Sequence, residues 1–109
     1  MQLKICPGYE GGISNGQRQD WTYYGSGPAS YSQTTGDPLV VPTGVYLDSV
    51  TPCMDTTHTY QLIPYPSVVG TTRAAWAWKW VVFATGAEVA NGVNLSTYNV
   101  QFQATGGEF

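Results

Sequence analysis

The stretch Ala75-Trp76-Ala77-Trp78-Lys79-Trp80-Val81-Val82-Phe83 sets three tryptophans at every second residue, the spacing that places them on one face of an extended strand. Val82 continues that face, and Ala75, Ala77, Lys79, Val81 and Phe83 form the other. A strand so apolar on both sides reads as central in a β-layer. Downstream, Thr97-Tyr98-Asn99-Val100-Gln101-Phe102-Gln103-Ala104 alternates polar and apolar, as a strand with one buried and one wet side does. The predicted core is Trp76, Trp78, Trp80, Val82, Tyr98, Val100 and Phe102.

Working outward, Gly44-Val45-Tyr46-Leu47-Asp48-Ser49-Val50 is β-branched and aromatic enough for a strand, ended by Thr51-Pro52, because proline cannot donate to a ladder. Thr56 to Ile63 reads as another, closed by Pro64 and Pro66. Thr85-Gly86 offers a turn, Ala87–Ala90 a short strand and Asn91-Gly92 a hairpin dipeptide. Thirteen glycines and seven prolines interrupt every candidate helix, and no i, i+3, i+4, i+7 pattern is sustained. The expected fold is all-β: a small antiparallel β-sandwich of five to seven strands over residues 43–109.

Residues 1–42 are a different material. Gly11-Gly12, Asn15-Gly16, Gly25-Ser26-Gly27-Pro28 and Thr35-Gly36-Asp37-Pro38 are successive turn-formers, leaving room only for short strands near Asp20–Tyr24 and Leu39–Val41. Trp21, Tyr23, Tyr24 and Tyr31 argue against disorder, since disordered segments are poor in aromatics. The segment is read as an extended, irregular arm that docks on a partner through these four side chains. The other reading is that it wraps its own domain.

The 109 residues are one domain's worth. Only 10% are charged, against about 25% in an ordinary soluble domain, and a surface of Gly, Thr, Ser, Asn, Gln and Tyr fits a protein packed against partners. Net charge is −3, and the basic residues Lys4, Arg18, Arg73 and Lys79 are scattered, so nucleic acid is not an expected partner. No stretch approaches the ~20 apolar residues that span a membrane. Met1-Gln2-Leu3-Lys4-Ile5-Cys6-Pro7 lacks the apolar run of a signal peptide, so synthesis in a cytoplasm is expected. The sequon Asn94-Leu95-Ser96 then carries no weight.

Candidate chemistry is sparse. In Cys53-Met54-Asp55-Thr56-Thr57-His58 a thiolate and an imidazole oriented by Asp55 would make a nucleophilic site if they met in space. Cys6, Cys53, His58 and Asp55 together number four metal-ligand types, but without the paired spacing of zinc modules. A reducing cytosol favours Cys6 and Cys53 as free thiols over a bridge. Glu10, Asp20, Asp37, Asp48, Asp55, Glu88 and Glu108 are dispersed, which leaves no carboxylate pair for glycoside hydrolysis, and Asp37 before Pro38 fits a turn. No enzyme activity, cofactor or metal is expected. An exposed Trp76, Trp78 and Trp80 row, at steps of about 6.6 Å, would instead stack on sugar rings; burial is the preferred reading.

The Trp strand followed by Leu95-Ser96-Thr97-Tyr98-Asn99-Val100 resembles the core of immunoglobulin-like sandwiches, which carry a Trp on the third strand and a Tyr two residues before a buried position on the penultimate one. Val100 stands where that family has a cysteine. The resemblance covers about 35 residues and leaves only Thr105-Gly106-Gly107-Glu108-Phe109 for a final strand, which implies a sandwich that is either truncated or completed by a segment from a neighbouring subunit.

As a whole, the chain resembles the small structural proteins of tailed-phage virions: a Met start, no export signal, low charge, strands rich in Gly, Thr, Tyr and Asn, and an aromatic, irregular N-terminal segment. A β-sandwich with an arm is similar to their head decoration or cement proteins. The resemblance implies a non-enzymatic virion protein, made in the host cytoplasm, whose partners are the major capsid protein or neighbouring virion subunits, with homo-oligomerisation open. A carbohydrate-binding module with a glycan partner, or a tail or connector component, are the alternatives.

Overall fold

A computed structural model describes residues 1, 3–10, 19–40, 45–66 and 76–108; the side chains of residues 5–10, 19, 45 and 108 lie outside the description. The turns expected at Gly11-Gly12 and Asn15-Gly16, the boundary at residue 42 and the Cys6 side chain therefore fall outside it as well.

The described residues hold strands and no helix. In chain order the strands are β1 (Lys4–Glu10), β2 (Gln19–Ser26), β3 (Asp37–Pro38), β4 (Val45–Val50), β5 (Cys53–Met54), β6 (Tyr60–Pro66), β7 (Trp76–Val82) and β8 (Asn99–Glu108). They make two antiparallel sheets, ordered β1-β2-β8-β4 and β3-β7-β6-β5. This is an all-β, two-sheet architecture consistent with a small β-sandwich.

The strand order differs from the expected immunoglobulin-like one. There the Trp strand and the Tyr strand share a sheet; here β7 and β8 lie in opposite sheets. Nor does the chain run out after the Tyr98 region. β8 runs on through Gly106-Gly107 to Glu108, pairing with β2 on one side and β4 on the other. Two glycines fit there because β4 comes very close: a Cβ on Gly106 would collide with the Tyr46 carbonyl oxygen, and one on Gly107 would sit 2.6 Å from the Tyr46 hydroxyl.

The described part of residues 1–42 is not an extended arm. β2 is an inner strand of the first sheet, with eight residues in register against β8 from Gln19↔Gly106 to Ser26↔Asn99. β3 belongs to the second sheet, its Asp37 opposite Trp78. Leu3 N–H donates to Val40 O at 3.0 Å and Leu39 N–H to Trp76 O at 2.9 Å, so the chain start, residues 37–40 and β7 are laced together. Three of the four aromatic residues that set this segment apart, Trp21, Tyr23 and Tyr31, bury themselves in its own domain.

The prolines of β6 do not close it as expected; the strand runs through Pro64 to Pro66. Tyr60 O accepts from Asp55 N–H on the β5 side and Thr59 O accepts from Phe83 N–H on the β7 side, so even-numbered residues turn their backbone groups toward β5. β5 reaches only Leu62. Pro64 and Pro66 thus lack an N–H where no neighbour needs one, which is the edge rule obeyed locally.

The core lies between the sheets. Trp21 and Tyr23 of β2, Val100, Phe102 and Ala104 of β8, and Leu47 and Val50 of β4 face Leu62, Trp78 and Trp80 across it, with Leu3, Tyr31, Leu39, Val89 and Leu95 added from the loops. Trp78 meets Phe102 edge to face, with centroids 4.8 Å apart at 86°, a favoured aromatic geometry. Trp76, Val82 and Tyr98 of the predicted core are half-buried against it.

Candidate functional site

The Cys53-to-His58 stretch folds into a tight loop organised by one carboxylate. Asp55 is buried and accepts N–H donors from Thr57 at 2.9 Å, Thr59 at 2.8 Å and Tyr60 at 2.7 Å, together with the Thr57 hydroxyl. Burial pushes this carboxyl up, but the hydrogen bonds from Thr57, Tyr60 and Thr59 outweigh it and hold Asp55 below the ordinary carboxylate value. His58 sits exposed at the loop tip, at φ 59°. Asp55 therefore spends its lone pairs on backbone instead of orienting an imidazole.

Cys53 is a free, half-buried thiol. Burial, and then the Asp55 charge, push it up to about 12, which keeps it protonated and poorly nucleophilic near neutrality. Among the described residues no three His, Cys, Asp or Glu side chains gather as metal ligands. Asp55 holds the turn, Cys53 packs against the core and His58 is exposed.

Of the four residues expected as partner anchors, Trp21, Tyr23 and Tyr31 are buried, at 4%, 0% and 1% exposure, and only Tyr24 reaches the surface, at 39%. The physical reason is period two: Trp21 and Tyr23 share the inner face of β2, and Tyr24 takes the outer one. Trp78 and Trp80 are likewise fully buried, so the Trp row offers no stacking platform. Among the described residues the other large apolar side chains at the surface are Val40, Ile63 and Phe83.

Asp37 is not a turn residue. Its buried carboxylate lies 2.6 Å from the Met1 amino group and accepts the Trp80 indole N–H at 3.0 Å. Burial raises its pKa, and the ammonium and indole oppose that rise.

A cleft on the outer side of the β3-β7-β6-β5 sheet brings together residues that the sequence reading did not connect. Gln33, Thr34, Tyr65, Lys79 and Glu88 line an open space of about 370 Å3. Its walls are held from beneath by Tyr31, whose hydroxyl donates to Glu88 at 2.8 Å and accepts the Trp80 N–H at 3.2 Å. Gln33 is fixed at both ends, its backbone N–H on Asn91 Oδ1 at 2.7 Å and its amide nitrogen on Val89 O at 3.0 Å. Tyr65 donates to Thr35 O at 3.1 Å. Gly36, at φ 66°, leaves the space beside the Tyr65 hydroxyl that a Cβ would fill. Lys79 is the one signal of this cleft in the sequence, a lone charge inside an apolar strand.

Neither a protein-family model, nor a curated protein, nor a solved structure matches the chain.

Proposed function

We propose that this chain is a non-enzymatic structural subunit of a virion, a decoration or cement protein that binds the capsid shell and stabilises it. What carries the reading is the use to which the reactive side chains are put: Asp55, Asp37 and Cys53 serve the chain's own loops and core. The charge-poor composition, 10% of residues, supports a life in contact with other subunits. Docking falls to Tyr24, Val40, Ile63 and Phe83, the large apolar side chains left outside among the described residues, because aromatic and apolar anchors dominate interface energetics.

The mechanism is mass action. A protein that binds only the assembled shell stabilises that shell in proportion to its occupancy. Co-sedimentation with tail-less heads and with free tails of the same virion tests the reading. Stoichiometric pelleting with heads, and a higher melting temperature of the loaded heads, is the expected result. Pelleting with tails alone moves the protein to the tail or connector, and pelleting with neither overturns the proposal.

A further inference from the structure

The walls of the Gln33–Glu88 cleft are ordered before any ligand arrives. Tyr31, Asn91, the Val89 carbonyl and the Thr35 carbonyl hold Glu88, Gln33 and Tyr65 in place, and a binder built this way loses little conformational entropy on association. Its volume, about 370 Å3, falls in the range of small-ligand sites, roughly 300–1,000 Å3.

The lining chemistry narrows the ligand. No aliphatic side chain is among the five residues, and Ile63 only borders them from its place opposite Lys79, so an apolar ligand would find little to cover it. One ammonium and one carboxylate cancel, so neither a polyanion nor a polycation is favoured. What remains is a set of donors and acceptors in close company. The Lys79 side chain is exposed, makes no hydrogen bond or ion pair among the described residues, and brings three donors. Glu88 uses one oxygen toward Tyr31 and keeps the other. Gln33 commits its amide nitrogen, which leaves its carbonyl oxygen as an acceptor, and the Thr34 hydroxyl both donates and accepts.

Groups that each donate and accept, set side by side on a ring, are the vicinal hydroxyls of a sugar. Tyr65 adds an aromatic ring on the cleft wall, whose negative face attracts the positively polarised C–H groups of such a ring. Burial and the Glu88 charge raise the pKa of Tyr65, which keeps it a neutral phenol. The cleft is open to solvent, which leaves room for a chain of sugars to extend beyond it. A free amino acid would match Lys79 and Glu88 but would remain mostly in water.

We propose that this cleft is a saccharide-binding site, recognising neutral oligosaccharides through Lys79, Glu88, Gln33 and Thr34 with Tyr65 as the stacking wall. It is separate from the buried Trp78 and Trp80, and it borders the proposed docking side chain Ile63, which lies opposite Lys79 in the β6–β7 pairing.

The experiment is titration of the isotope-labelled protein with maltotriose, cellotriose and tri-N-acetylchitotriose at millimolar concentration, followed through backbone amide shifts. The triglycine peptide serves as the rival probe. The expected result is saturable movement of the Gln33, Thr34, Lys79 and Glu88 amides with at least one trisaccharide. Lys79→Ala should then weaken binding about tenfold with an unchanged melting temperature, because Lys79 supports nothing in the fold. Tyr65→Leu gives a second variant, expected to remove the stacking contribution. Three results would each overturn the proposal: no saturable shift with any of the three sugars, shifts centred on other residues, or binding of triglycine in preference to sugar.

Discussion

The indole N–H of Trp80 donates to the carboxylate of Asp37 at 3.0 Å, joining two residues 43 positions apart inside the core. Trp80 brings the donor from the middle of β7, and Asp37 accepts it from the short edge strand β3 alongside. A fully buried indole and a buried carboxylate each need a partner, and here they supply one another. Trp80→Phe keeps most of the ring volume and removes the donor. The expected loss is about 2–4 kcal/mol, the sum of a hydrogen bond to a charged group and a small cavity, read as a lower urea midpoint at unchanged m-value.

Asp55 sets the acid limb of stability. Its carboxyl lies below the unfolded value of 3.8, so its contribution is complete above pH 3.8 and is lost as pH falls through the folded value. Asp55→Ala should cost about 2–4 kcal/mol at pH 7 by leaving three backbone donors without their acceptor. The variant should also show a flatter dependence of stability on pH below 4 than the parent. An unchanged acid profile would mean that the loop is not held by this group.

Tyr23 is fully buried and its hydroxyl has no partner among the described residues. Desolvation pushes it from 10.0 up to about 12. Since the folded value lies above the unfolded one, stability is complete below pH 10 and falls as pH rises toward 12. Cys53, raised from 9.0 to about 12, acts in the same direction from pH 9. Tyr23→Phe should be neutral or stabilising by up to about 1 kcal/mol, because it removes an unsatisfied buried group, and should reduce the alkaline loss. Phenolate absorbance against pH, beside circular dichroism, checks both.

The pairing of β4 with β8 depends on the absence of a side chain. Gly106→Ala would drive a methyl into the Tyr46 carbonyl, where the nearest atoms are backbone and cannot swing aside. Unfolding or insoluble expression is expected. Gly92→Ala is the control: nothing lies within 4 Å of its Cβ position, and φ of 85° costs about 1 kcal/mol for alanine. If both variants behave alike, the close approach is wrong.

Trp78 and Trp80 should emit as buried indoles, blue-shifted and indifferent to added sugar. Trp78→Ala should cost about 3–5 kcal/mol, since the residue is wholly enclosed and stands edge-on to Phe102. Near-parental stability would place that side chain outside the core.

Periodicity by itself determined the β class, the strands near 20–24, 45–50, 76–82 and 99–104, and the burial of Trp78, Trp80, Val100 and Phe102, because alternation is a local property of an extended chain. It did not reach β1 or β5, whose sequences Lys4–Glu10 and Cys53–Met54 carry no clean alternation and are strands only because β2 and β6 offer them partners. The inner side of a strand and the sheet it joins are likewise not local. Trp21 and Tyr23 looked like anchors for another protein until β8 lay beside them, and Asp37 looked like a turn until Trp80 reached it. The cleft was the least legible feature. Gln33, Tyr65, Lys79 and Glu88 share no spacing in the chain, and only the pairing of β7 with β6, and of Glu88 with Val81, brings them to one side of one sheet.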